Sequence, residues 1–433
     1  MKYLIKLFSP VFLIFSLFIL FYIYYRANIF HSGELNDYYS IYYKISLSLI
    51  VFSILTFFLN KKIKEYVVIS TISIFVSLYL AETYIVFKDQ LKKNFVYKKQ
   101  TKKKYDNRSK LEVYEDLKKT YKNIKISILP SQFNTESFRM HSLSGISNSK
   151  TIFCNENGYY SIYESDRYGF NNPDKEWLGH KNNNVEYMLV GDSFTHGACV
   201  NRPNDIASVL RILSGKSVLN LGHNRNGPLL EYATLKEYIF PKVNKILWIY
   251  FEGNDLIDLD YELNNEILKK YYDDINFTQN LKSRQKYIDD FGNKQIDNEA
   301  IRARKNKNFK IFQFVKLYNL RNFEKIRSTP EIFFEFKTIL ELTKHLAKKN
   351  NSKLYFVYLP EYTRYKVNYD NSNYNKVKNI VKDLKIPFID IHSEIFMKEK
   401  NPLAFFPFEL TAHYNEEGYK NVAKTIYNYT KDE

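Results

Sequence analysis

The sequence predicts a three-layer α/β/α domain built on a parallel sheet, preceded by three membrane-spanning helices. Two observations predict it. Long apolar runs crowd residues 1–87. Beyond about residue 126, short apolar runs alternate with longer amphipathic ones. Strand and helix in turn fold as a parallel sheet covered on both faces.

The membrane segments come first. Residues 7–25 carry no charge and are rich in Phe, Leu and Ile. At 1.5 Å per residue such a run crosses a bilayer core of about 30 Å. Residues 45–59 form a second uncharged run, and residues 66–87 a third, broken only by Glu82. Glu82 lies near the end of its run, where a carboxylate is expected to snorkel to the interface. No small-residue cleavage site follows the first run, so a cleaved leader is not expected. Lys2 and Lys6 precede the first helix, and Lys61, Lys62 and Lys64 fill a short loop. Both favour an inside N-terminus, and three crossings then put the main domain outside. The expectation is a multi-pass protein of the cytoplasmic membrane with a periplasmic or extracellular domain. The basic stretch that follows argues the opposite by the same rule.

That stretch, residues 88–125, holds 14 Lys/Arg against 5 Asp/Glu, over half of the chain's net +17. Nucleic acid is one partner for such a patch, and acidic lipid headgroups are another. Its place beside apolar runs favours a basic juxtamembrane stalk touching membrane lipid, with no specific nucleic-acid binding.

In residues 126–433 the strands are expected at 185–190, 217–221, 245–251, 353–359 and 386–391. Helices are expected between them, at 202–213, 229–239 and 330–349. Residues 256–329 fit no such unit and read as a charged, helical insertion. It includes Arg302, Arg304 and a basic-aromatic stretch at 308–325. In open α/β sheets ligands bind beyond the carboxyl ends of the strands, and polar clusters occupy those ends here. The chain has only 13 Gly, which makes a Gly at a strand end informative.

Gly191-Asp192-Ser193 follows the first strand. A serine hydroxyl is a poor nucleophile until a base takes its proton. His413, just before the last helix, is the candidate base. Asn254, in Gly253-Asn254-Asp255 after the third strand, offers an amide to a developing oxyanion. Backbone N–H groups of Ser193 and of the loop Arg225–Gly227 would complete that hole. Asp192 and Asp255 are supporting residues. His196 lies nearer Ser193 in sequence but reads as a loop or cleft-wall residue. Cys154 and Cys199 allow no metal-ligand spacing. They form either one disulfide, pinning the lead-in to the cleft wall, or two buried thiols.

The order Gly-Asp-Ser, glycine loop, Gly-Asn-Asp and His resembles the SGNH/GDSL hydrolases, whose sequence blocks contribute Ser, Gly, Asn and His. The resemblance covers about residues 185–430. Residues 165–172 also look like the lead-in of membrane-linked members. It implies a flavodoxin-like sheet and a serine esterase or O-acyltransferase without metal or organic cofactor. It also implies a substrate among the acyl groups, typically acetyl, of a cell-surface polysaccharide. A transferase of this kind would need a separate membrane acyltransferase, because three helices are too few for a donor channel. Two positions depart from the family. Asn then Gly five residues on is usual in the second block, but Arg225 stands there, with Gly227 two further. Asp three residues before the His is usual, but Leu410 stands there, with Glu409 one step earlier. Glu409 orients the imidazole if the turn permits it; otherwise Ser193 and His413 act as a dyad or the site is weak. A degenerate domain that binds glycan or scaffolds an envelope complex is the alternative these departures favour.

Overall fold

The protein is described from a computed structural model over residues 2–129, 140–179, 183–305, 309–322, 330–366 and 369–432. Contacts divide the chain into two units. One comprises Met1–Phe87 with Lys310–Phe323, the other Lys88–Phe309 with Glu324–Glu433.

The first unit is helical. Helix α1 (Lys2–Tyr24) runs into a π turn at Tyr25–Phe30, followed by α2 (Asn36–Leu55) and α3 (Lys61–Thr101). All three are long and apolar enough to cross a membrane. Thr56 Oγ1 donates to Ser9 Oγ at 2.9 Å, tying the end of α2 to α1. Glu82 does not snorkel. It is fully buried and accepts from the Asn319 backbone N–H (3.0 Å), the Asn319 amide (2.9 Å) and the Leu320 N–H (2.7 Å). Those donors lie in the predicted insertion, so part of it completes this unit. Tyr79 repeats the contact by donating to the Val315 carbonyl at 2.9 Å. The Arg302 and Arg304 side chains, with parts of the 308–325 stretch, lie outside the described residues.

The second unit is built on a sheet of five parallel strands. These are β4 (Val185–Gly191), β5 (Val218–Asn220), β6 (Val243–Phe251), β7 (Lys353–Leu359) and β8 (Phe388–Asp390), in the order β5-β4-β6-β7-β8. Renumbered within the sheet, that is the flavodoxin-like order 2-1-3-4-5. Successive residues of a strand face opposite sides. Met188 and Val190 of β4 join one core with Ile246, Trp248, Phe356 and Tyr358. Tyr187 and Leu189 join the other with Leu247, Ile249, Tyr355 and Val357. Burial on both faces is why these strands read as unbroken apolar runs. Helices Pro228–Tyr238 and Phe333–Lys349 cover the first face. Ile206–Ser214 and Glu416–Thr430 cover the second.

A smaller sheet precedes this one and was not legible in the sequence. It pairs β1 (Ile124–Ile126) parallel to β2 (Lys150–Ile152), and β2 antiparallel to β3 (Ile162–Glu164). The basic stretch is not a free stalk either. Helix α3 continues unbroken to Thr101, and a capping box at Ser109 and Glu112 starts the helix Lys110–Lys118. Tyr105, Val113, Tyr114 and Ile124 are buried, while most lysines around them face outward.

Candidate active site

Strand β4 ends at Gly191, whose φ is +157°. A Cβ there would lie 2.0 Å from Thr195 Oγ1 and 2.6 Å from the Ile249 carbonyl, so only glycine fits. The turn then places Ser193 between β4 and β6, where the strand order reverses. Asp192 caps the short helix that follows, accepting the Phe194 N–H at 2.8 Å. Its other oxygen lies 3.2 Å from Ser193 Oγ. Burial, above all, pushes the Asp192 carboxyl up to about 6, against the Phe194 N–H that lowers it.

Ser193 Oγ is 2.8 Å from His413 Nε2. The imidazole sits on the loop before the helix Glu416–Thr430, which Asn415 caps through the Gly418 N–H at 2.9 Å. The Phe194 ring packs against it, centroids 4.7 Å apart.

Behind the imidazole stands Glu156, not Glu409. One carboxylate oxygen of Glu156 accepts both the His413 backbone N–H at 2.8 Å and Nδ1 at 2.9 Å. This fixes the Nδ1 proton and leaves Nε2 free to accept from serine. Burial disfavours the imidazolium, but the charge and hydrogen bond of Glu156, with Asp192, outweigh it and raise the His413 pKa. Burial likewise opposes the Glu156 charge, and His413 outweighs it, so that pKa is lowered. Glu409 instead accepts from the Asn401 amide at 2.8 Å. The Phe408 and Glu409 backbones both have left-handed φ (+58° and +52°), so the local spacing to His413 is not that of the family block.

Glu156 lies in the loop joining β2 to β3, and that loop is held from two sides. Cys154 and Cys199 form a disulfide, and the Asn157 amide donates to the Cys199 carbonyl at 2.9 Å. Opposite, the Asn155 amide donates to the Asp106 carbonyl at 2.7 Å, and the Asp106 N–H to the Gly158 carbonyl at 3.0 Å. Gly158 has φ +92°, and a Cβ there would lie 2.4 Å from the Tyr97 ring. The sequence left Cys154 and Cys199 as either one disulfide or two buried thiols, and the structure pairs them. The disulfide alternative was the one signal that the 154–156 segment reaches the cleft. A carboxylate, a sulfur and a ring nitrogen of Glu156, Cys199 and His413 lie within 4.8 Å of one another. The sulfur is spent in the disulfide and the other two bond each other, so this set does not fit a metal.

The expected oxyanion donors divide. The Gly227 N–H is taken by Glu262 at 2.5 Å, which also accepts from Leu229 and Leu230 at the start of their helix. Gly227 is thereby removed as a donor. The Asn254 amide nitrogen donates to Asp258, and an amide nitrogen carries a second N–H. Arg225 is exposed and holds a left-handed φ of +60°, a conformation that favours glycine. Asp255 is fully buried and accepts the Phe251 N–H at 2.8 Å, closing the turn after β6. Asn220 braces the nucleophile turn, donating to the Thr195 carbonyl at 2.7 Å. His196 is buried and stacked on Phe153 at 4.4 Å, and neither ring nitrogen has a hydrogen-bond partner among the described residues, as for a wall residue.

No family model and no curated protein matches the chain. Among solved structures, a lipolytic protein of the G-D-S-L family from Desulfitobacterium hafniense is similar at 14% identity and TM-score 0.32. It aligns over 57% of this chain and 99% of its own. An acetyl xylan esterase is similar at 11% identity and TM-score 0.32, with the same coverage. At those values neither match carries weight beyond the topology already described.

Proposed function

We propose that the globular unit is an SGNH-type serine esterase or O-acyltransferase acting on acyl groups, chiefly acetyl, of a cell-surface polysaccharide. One observation carries the reading: the unbroken hydrogen-bond chain Ser193–His413–Glu156 at 2.8 and 2.9 Å. His413 Nε2 takes the Ser193 proton as Oγ attacks the ester carbonyl. The tetrahedral oxyanion is met by the Ser193 N–H and by the second Asn254 N–H, which the bond to Asp258 orients. Collapse breaks the ester C–O bond, and the imidazolium returns its proton to the leaving alkoxide. Water or a sugar hydroxyl, deprotonated by His413, then releases the acyl group. Glu156 stays ionised and pairs with the imidazolium throughout. If the acceptor is a sugar, a separate membrane acyltransferase supplies the acyl group.

We place this unit on the outer side of the cytoplasmic membrane. The Cys154–Cys199 bond supports that side, since thiols in the cytosol are kept reduced. Protease cleavage of a C-terminal tag on intact cells is expected, and its protection would reverse the topology. For the chemistry, the full-length protein in detergent is compared with Ser193→Ala on p-nitrophenyl acetate and an acetylated glycan. Equal rates on both substrates would defeat the enzyme reading in favour of a degenerate binding module.

A further inference from the structure

We propose that a cavity of about 750 Å³ beside the triad is a subsite for an uncharged sugar chain, with the end of α3 as one wall. Its lining lies wholly within the globular unit. The inference rests on the esterase reading for what the chain carries, and on the cavity itself for how it is held.

The cavity adjoins two triad members. Asn157 follows Glu156, and Phe406–Glu409 and Asn415–Glu417 flank His413 on either side. The wall from α3 is Lys92, Val96, Tyr97, Gln100 and Thr101, a spacing that puts all five on one helix face. A stretch whose composition reads as a basic juxtamembrane stalk therefore presents a shaped surface here.

The lining chemistry suits a sugar. Tyr97, Tyr159 and Phe408 bring aromatic surface to it, against which the C–H face of a pyranose packs. The side chains of Lys92, Gln100, Lys103 and Glu417 have no hydrogen-bond or ion-pair partner among the described residues, which leaves donors and acceptors for hydroxyl groups. Lys92 and Lys103 nearly balance Glu409, Glu416 and Glu417, so the lining draws in neither a polyanion nor a polycation. The volume falls within the ~300–1,000 Å³ of ordinary ligand pockets, and the mixed polar lining disfavours an acyl tail.

Binding is tested on full-length Ser193→Ala protein in detergent, with cello-, chito-, xylo- and mannotetraose as probes. At least one should bind saturably, weakened about tenfold by Tyr97→Leu or Gln100→Ala and retained by Tyr97→Phe. Binding by none of the four, or binding indifferent to both substitutions, overturns the subsite. In the Ser193 protein, the preference for the acetylated tetrasaccharide over p-nitrophenyl acetate should fall about tenfold in the same two variants. Lys98→Ala, exposed and off the cavity face, is the control and should leave that preference unaltered. A parallel fall on both substrates overturns the subsite and leaves the esterase standing. Absence of Ser193-dependent hydrolysis overturns the esterase, while the binding arm still decides the subsite.

Discussion

Replacing Glu156 by Gln keeps the side chain's shape and an acceptor oxygen but removes its charge. The carboxylate lies 2.9 Å from His413 Nδ1. Two unit charges at that distance attract by about 6 kcal/mol at an effective dielectric of about 20. The two side chains are 25% and 23% exposed, so water screens the pair. About half of that attraction, roughly 3 kcal/mol, remains to stabilise the imidazolium that forms in the transition state, which is about a hundredfold in kcat. The loss should stay below the ~10⁴ that a wrong tautomer costs a serine protease, because the glutamine oxygen can still hold the Nδ1 proton. The assay is hydrolysis of p-nitrophenyl acetate by the full-length protein, with Ser193→Ala as baseline. Glu409→Gln is the control and should cost less than about twofold. A threefold loss or smaller in Glu156→Gln, or an equal loss in Glu409→Gln, would refute the assignment of the third triad member.

Three further outcomes are expected. A general base works deprotonated, and the raised His413 pKa puts the acidic limb of kcat/KM above the ordinary imidazole value of 6.5. Glu156→Gln should move that limb to lower pH, and an unmoved limb would mean that the two groups do not interact. Reduction of Cys154–Cys199 should lower kcat about tenfold by loosening the Glu156 loop. With its separation of 45 residues it should also remove about 4 kcal/mol of stability. Unchanged activity after reduction and alkylation of both thiols would sink the first claim. Glu82→Leu strands three N–H donors of Asn319 and Leu320, each costing about 1–3 kcal/mol when left unmet. Hydrogen exchange at those amides should rise, and protection equal to that of the unaltered protein would count against the anchoring role.

The five central strands could be read in advance because burial on both faces writes them as continuous apolar runs. Ser193, Asn254 and His413 could be read because they stand at the ends of those strands or before the last helix. Glu156 could not be placed in the same way. It sits between β2 and β3, each three residues long and too short for periodicity to show. Its position is set by a disulfide and a side contact with Tyr97, both non-local. Glu409 failed for a local reason: left-handed backbone at Phe408 and Glu409 breaks the spacing on which the expectation rested. In the basic stretch, the lysines masked a few apolar residues that carry the packing. The partner of Glu82 lies beyond the reach of sequence, since Asn319 is 237 residues further along the chain.

The hairpin that carries Glu156 lies outside the five-stranded sheet whose first strand ends in the turn of Ser193. Ser193 therefore depends on the sheet for its place, whereas Glu156 depends on a separate small sheet. The carboxylate behind His413 can thus be replaced together with its own small sheet, without disturbing the order of the five strands. For the protein engineer the same separation has a practical side. A fragment begun at β4 keeps the flavodoxin-like sheet, yet leaves behind both the acid and half of the disulfide that holds it.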